Sequence, residues 1–207
     1  MIRSKYLDSF VSRETSRKLD QYHQCLMNNN KKMSLISKST EQEAYIRHYE
    51  DSAQIIEHIN RQDEDILDIG TGAGLPGIIL DLIKVDKKLD FHVNLLEKSP
   101  KKCKFLKEAI RLLDLDIKIH NADVNMLRDK NYSVVTARAF KPLGTFLDIL
   151  DKSNIKFRKL ILLKGEKYEN EILDAEKYWE IKCELHDSIT NKASKVFVIN
   201  SVKRISA

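Results

Sequence analysis

Four of the chain's six glycines fall within eight residues, in Asp68-Ile69-Gly70-Thr71-Gly72-Ala73-Gly74-Leu75-Pro76-Gly77. The apolar residues Ile66, Leu67 and Ile69 precede them, and a helix-like apolar run from Leu75 to Ile83 follows. The order reads as strand, tight glycine turn, helix. Glycine accepts the positive φ that such a turn requires, and it lets a ligand approach the backbone. A helix starting there offers unpaired N–H groups and the positive end of its dipole. The place suits a ligand that carries an adenosine and a charged tail.

The rest of the chain repeats this pattern. From Asp65 onward, short apolar runs alternate with helical stretches: Ile66–Ile69, Phe91–Leu96, Ile117–Ile119, Val134–Ala137 and Leu160–Leu163. Such alternation predicts βαβ units and a parallel sheet. Trp179–Leu185 and Val196–Val202 are strand-like with no room for a helix between them, so they should pair antiparallel. Pro76, Pro100 and Pro142, the only prolines, each fall shortly after a predicted strand and near a predicted helix start. In an open parallel sheet, ligands bind at that carboxyl edge. The first sixty residues read as helical. Thr40-x-x-Glu43 is a capping-box candidate, and Tyr45, Tyr49, Ile56 and Ile59 fit one apolar helical stripe. The expected organisation is a helical extension over residues 1–60 packed on a core domain over 61–207.

Composition excludes several classes. No apolar stretch approaches the roughly 20 residues of a membrane helix, and the N-terminus lacks a signal-peptide apolar region. Cys25, Cys103 and Cys183 form no CxxC pair, so neither a disulfide framework nor a metal site is expected, and a reducing cytoplasm is the simple reading. The net charge of +5 is compatible with a polyanionic partner without being diagnostic of one.

Individual residues carry two readings each. Gly72-x-Gly74-x-x-Gly77, with Glu97 beyond, matches a dinucleotide fingerprint and admits a dehydrogenase. Against it, Asp68 puts an acid where a pyrophosphate would bring negative charge, and the antiparallel C-terminal pair is foreign to that fold. An acid there suits an amine or a sulfonium. Glu97 is placed to accept both ribose hydroxyls of a nucleoside, or is a solvated acid paired with a lysine. Residues 98–107 carry five lysines; Lys101, Lys102 and Lys104 could hold RNA phosphates or simply face solvent. Asp123 suits an adenine edge, an N-cap, or both. Arg138 and Lys164 end the fourth and fifth strands and face either a ligand or water.

Together these residues resemble one family, the bacterial 16S ribosomal RNA guanine-N7 methyltransferases, also called glucose-inhibited division protein B. Asp68 to Gly77 is similar to its Asp-x-Gly-x-Gly-x-Gly-Leu-Pro-Gly segment. Arg47-His48 with Asp51-Ser52 resembles its Arg-His-x-x-Asp-Ser. Lys101-Lys102-x-x-Phe105-Leu106, Arg138-Ala139 and Lys164-Gly165 resemble further segments. The chain departs from the family at Ser34-Leu35-Ile36, where Asn-Leu-Thr is usual. It departs again at Asp123-Val124-Asn125, where Arg-x-Glu surrounds the adenine.

The resemblance implies an α/β class I S-adenosylmethionine-dependent methyltransferase, Rossmann-like, with a mostly parallel seven-stranded sheet and an antiparallel C-terminal strand. It implies that Asp68, Gly70, Gly72, Gly74, Leu75, Glu97, Asp123, Val124, Asn125 and Arg138 contact S-adenosyl-L-methionine, with S-adenosyl-L-homocysteine as product. Arg138 would act in positioning, with His48 as a second catalytic candidate, and Lys101, Lys102, Lys104 and Lys164 on RNA. The implied partner is 16S ribosomal RNA or the small subunit, met by a cytoplasmic monomer without membrane, DNA or metal. The implied target is one guanine in a decoding-region loop. Guanine N7 has a lone pair and no proton, so no general base is expected. The competing readings are methylation of a protein or small molecule, a nucleotide- or RNA-binding module without turnover, and a dehydrogenase.

Overall fold

The computed structural model describes residues 4–138 and 140–205; Ala139, part of one resemblance segment, lies outside the described residues. Seven strands form one sheet. They are β1 (Asp65–Ile69), β2 (His92–Leu96), β3 (Ile117–His120), β4 (Asn131–Arg138), β5 (Lys156–Lys164), β6 (Trp179–Asp187) and β7 (Lys195–Arg204). Their order is β3-β2-β1-β4-β5-β7-β6. The first five are mutually parallel, and β7 runs antiparallel between β5 and β6. The chain moves outward from β1 to β3, then returns to place β4 on the other side of β1. That reversal opens a crevice at the carboxyl ends of β1 and β4.

The strand residues alternate between two cores. Ile66, Val93, Leu95, Val134 and Ile161 face one, and Leu67, Ile69, Val135, Ala137 and Leu162 face the other. This is the period of two that a sheet covered on both sides demands. The helices α4 (Gly77–Ile83) and α5 (Pro100–Leu113) cover the first face, while α6 (Leu143–Lys152) and α7 (Tyr168–Glu176) cover the second. β4 and β5 extend three to four residues before their apolar runs; among those added residues Tyr132 and Phe157 pack partly buried against the second core, while Ser133, Arg158 and Lys159 bond the chain just before β1.

The segment before β1 belongs to the first core. It contains α1 (Lys5–Asp8), α2 (Arg13–Met33), α3 (Asp51–Ala53) and single turns of other pitch. Tyr22, Tyr45 and Tyr49 are wholly buried and stack on one another, with ring centroids 5.4 Å apart for Tyr22–Tyr49 and 4.9 Å for Tyr45–Tyr49. The expected single stripe is buried, but not on one α-helix. Tyr45–Glu50 winds as a wide π turn and Gln54–His58 as a tight 3-10 turn. The expected capping box is absent. Thr40 Oγ1 donates to the Ser37 carbonyl at 2.9 Å and contacts His48, and no side chain caps the turn at Tyr45. Of the three prolines, only Pro100 occupies a first helical position; Pro76 and Pro142 stand one residue earlier.

One bond ties α2 to the glycine turn: the buried Tyr22 hydroxyl donates to the Ala73 carbonyl at 2.6 Å. Tyr22→Phe strips a buried carbonyl of its partner, so we expect a loss of about 1–2 kcal/mol in chemical denaturation. Unchanged stability would show that water or a rearranged donor replaces the hydroxyl.

Candidate functional site

The glycine turn is held from three sides. Below it, Asp68 is fully buried, and its Oδ2 accepts from Thr71 Oγ1 at 2.5 Å and from the Gly77 amide at 2.9 Å. Beside it, the Leu96 carbonyl accepts from the Gly70 and Thr71 amides. Glu97 Oε2 accepts from the Gly72 amide at 3.1 Å, and its Oε1 from the Ser99 amide at 2.8 Å. Tyr22 holds the third side. The result is a rigid cradle in which the glycines differ. A Cβ on Gly74 would lie 2.3 Å from Ile78, so that position exists for packing. Gly72, at φ +60°, is open: the nearest heavy atoms to its Cβ position are 3.9 Å or more away. Only there does the turn present bare backbone to a ligand.

A cleft of about 410 Å³ opens beside this turn. Gly70, Glu97, Asp123, Val124, Asn125 and Phe140 are among its walls, with the chains of Lys98, Lys102 and Lys141 at its edge. The sequence expectation brought most of these residues together, and their environments add detail. Glu97 uses one lone pair on each oxygen for the backbone and keeps capacity for ribose hydroxyls. Asp123 caps the turn Val124–Met126, its Oδ1 accepting from the Asn125 amide and from Asn125 Nδ2. The Asn125 side chain therefore folds back on Asp123, and its backbone is engaged as well, the amide by Asp123 and the carbonyl by Arg128 Nε at 3.2 Å. Asp68 does not line this wall. Expected to face a cationic ligand group, it lies beneath the turn with Oδ1 buried and unpartnered. Leu75 is buried behind the turn.

Burial raises the Asp68 carboxyl to about 6, opposed by its bonds to Thr71 and Gly77 and by the charge of Arg138. Arg138 itself is pulled below its ordinary value by burial, against the attraction of Asp51, Tyr22 and Asp68. Its Nη1 donates to His48 Nδ1 at 2.9 Å. With Nδ1 accepting, the imidazole proton sits on Nε2, which meets Thr40 Oγ1 at 2.8 Å; that hydroxyl donates onward to Ser37. The relay runs in one direction from the arginine to a backbone carbonyl. Burial, then the charges of Arg138 and Arg47, push His48 down to about 3. His48 is a neutral acceptor with both nitrogens engaged.

The lysines separate into two kinds. Lys101 and Lys104 are exposed on α5, and Lys102 Nζ stands 4.0 Å from the Gly72 Cβ position. Lys164 is largely buried, donating to Glu171 Oε2 at 2.6 Å and to the Lys141 carbonyl at 2.9 Å. Its charge is neutralised within the fold. Sequence reasoning missed Tyr22 and Thr40, whose partners are a distant backbone carbonyl and an imidazole eight residues on. It also missed Phe140, whose ring packs where a Gly70 Cβ would stand. Among the described residues, no group of three or more His, Cys, Asp or Glu could hold a metal, and no helix is long and apolar enough to cross a membrane.

The family described as rRNA small subunit methyltransferase G matches residues 15–199. The chain is 34% identical over 195 residues to a ribosomal RNA small subunit methyltransferase G of Rickettsia bellii (strain OSU 85-389), covering 94% of this chain and 98% of that one. The like-named protein of Rickettsia prowazekii (strain Madrid E) is 33% identical over the same shares. Among solved structures, a magnesium protoporphyrin IX methyltransferase (ChlM) from Synechocystis PCC 6803 with bound SAM superposes with a TM-score of 0.57 at 14% identity, over 92% of this chain and 99% of that one. A ribosomal protein L11 methylase from Lactobacillus delbrueckii subsp. bulgaricus gives 0.53 at 16% identity, over 80% of each. These likenesses show the class I methyltransferase fold, including the antiparallel C-terminal strands.

Asp68 makes stability depend on pH. Its folded pKa of about 6 exceeds the ordinary 3.8, so its contribution is complete below about pH 4 and is lost as pH rises through 6. Asp68→Asn cannot titrate. Thermal unfolding from about pH 4 to 7 should show the variant gaining on the parent by about 3 kcal/mol. A stability difference independent of pH would mean that Asp68 titrates normally.

Proposed function

The chain belongs to the rRNA small subunit methyltransferase G family, and from that premise we propose that it methylates N7 of one guanine in a decoding-region loop of 16S ribosomal RNA. Membership makes it a methyltransferase of ribosomal RNA with S-adenosylmethionine as donor. The finer reading adds the atom, the base and the location, and an enzyme that works as a cytoplasmic monomer without DNA.

The cleft fits the donor by the chemistry of its walls. Glu97 keeps acceptor capacity for a ribose, Val124 beside Asp123 offers an apolar wall with a polar rim for an adenine, and on the adjoining turn the bare backbone at Gly72 admits close approach. The donor supplies an electrophilic methyl on a sulfonium. Gly70, Gly72, Glu97, Asp123 and Val124 would hold it, and Asn125 would fix the Asp123 carboxylate. Asp68, Gly74 and Leu75 would serve by shaping the turn.

The observation that carries the N7 reading is the state of His48. An imidazole with a pKa of about 3 and both nitrogens engaged does not collect protons at neutral pH. N7 of guanine needs no proton removed, so the chain's work is to orient the base and exclude water. Arg138 is the positioning residue and His48 holds it. Lys101, Lys102 and Lys104 would gather phosphates along α5, whereas the neutralised Lys164 would stiffen the wall.

The test is transfer of labelled methyl from S-adenosylmethionine to small-subunit RNA, followed by nucleoside mass analysis and positional mapping. We expect 7-methylguanosine at a single decoding-region position. Label on another base, on another guanine atom or on a ribose hydroxyl would overturn this reading while leaving the family assignment intact.

A further inference from the structure

A second cavity, of about 280 Å³, lies across the carboxyl end of β4 from the donor cleft. Arg47, His48 and Asp51 line it from the N-terminal segment, Arg138 and Lys164 from the sheet, and Thr190 from the β6–β7 loop. The two cavities adjoin, because Lys164 of the second bonds the carbonyl of Lys141, a wall residue of the first. We propose that this second cavity receives the target guanine, with its Watson–Crick edge on the Asp51 carboxylate and a flanking phosphate on Arg47. The inference rests on the guanine-N7 reading given above and assigns the residues that choose the base.

Asp51 is set up as a fixed acceptor. Its Oδ1 accepts from Thr190 Oγ1 at 2.8 Å and from Gln54 Nε2 at 3.0 Å. Gln54 is itself locked to the β6–β7 loop, donating to Ser188 Oγ at 3.2 Å and accepting from the Ile189 amide at 3.0 Å. The carboxylate is thus clamped between two parts of the chain that the fold brings together. Its Oδ2 has no partner among the described residues, although Asp51 faces the cavity. Burial raises its pKa, and the charges of Arg138 and Arg47 and bonds from Thr190 and Gln54 favour its ionised form.

Base chemistry then selects the ligand. On its Watson–Crick edge, guanine presents two adjacent donors, N1–H and N2–H, which converge on one acceptor oxygen and so match the open Oδ2 of Asp51. Adenine and cytosine each present a ring-nitrogen acceptor there, and uracil a single N–H between two carbonyls. Reading an extruded base on this edge is the usual solution for an enzyme that works on a base. The pose also leaves the chemistry free. With N1 and N2 on Asp51, N7 lies on the opposite side of the purine, and O6 between them. Arg138, whose Nη1 is already held by His48, can meet O6 without covering N7. Arg47 has no hydrogen-bond or ion-pair partner for its guanidinium among the described residues, which suits a phosphate beside the base.

The test replaces the target guanosine of small-subunit RNA by inosine, which lacks only the 2-amino group, through splinted ligation. With the wild-type protein, kcat/KM for guanosine should exceed that for inosine by about tenfold. Asp51→Asn should bring the ratio near one, with unchanged affinity for S-adenosylhomocysteine. Arg47→Ala should slow both RNAs alike and preserve the ratio. Equal wild-type rates on the two RNAs would overturn the proposal without recourse to any variant. So would Asp51→Asn retaining the full ratio. Failure of the wild-type protein to form 7-methylguanosine on the guanosine RNA would instead remove the reading on which the proposal rests.

Discussion

A buried arginine held by a neutral imidazole is the contact on which the rest of the site depends. Arg138 leaves the end of β4 into a region where its charge is poorly solvated. It is kept there by the Asp51 and Asp68 carboxylates and by the His48 acceptor. A charged histidine could not take that place: it would have no lone pair for the guanidinium and would add a like charge. The surroundings settle its state from both sides, since Arg138 demands an acceptor at Nδ1 and Thr40 accepts the proton at Nε2. The partners lie on β4, on the π turn Tyr45–Glu50 and in the turn at Ser37. The N-terminal segment is therefore part of the site's wall, and not an ornament on a finished core.

The glycine turn shows the same logic of fixing a small open surface by burying everything around it. Asp68, Glu97 and Tyr22 each hold a different side, and three of the four glycines are filled against side chains. What remains bare is Gly72. A buried carboxylate with one unpartnered oxygen is costly, and the fold tolerates it at the base of its ligand site. Strain and desolvation concentrated where a ligand binds are the common cost of holding a surface ready.

How much of this the sequence disclosed follows from which interactions are local. The carboxyl ends of the strands were legible to within a residue or so, because buried parallel strands are continuous apolar runs. The beginnings of β4 and β5 were not, since residues 131–133 and 156–159 mix polar residues with single partly buried aromatics and form no continuous apolar run. Helical character before β1 was legible from Tyr45, Tyr49 and Ile56, but the change from π to 3-10 pitch was not. Thr40 looked like a helix cap because the spacing to Glu43 was right; its partner proved to be His48. Asp68 looked like a ligand group because strand-end acids often are, and burial turned it into a brace. Lys164 looked like a free cation because nothing nearby in sequence announced Glu171 as its partner. Glu97 and Asp123 share one cleft because the parallel topology places the ends of β1 to β5 on one edge. Asp51 was visible only as part of a motif. Its clamp joins the local Gln54 to Thr190, which is distant along the chain.

The central claim is that this site works by holding and orienting, not by moving a proton. Single-turnover methyl transfer to small-subunit RNA from about pH 7 to 9, for the wild type and for Arg138→Ala, tests it directly. The range starts above the titration of Asp68, so that the turn's brace stays in one state. The account predicts a flat profile for both proteins, with the variant slower throughout by about a hundredfold for lost positioning. A rate that climbs tenfold per pH unit to a plateau would reveal a required base and contradict the account.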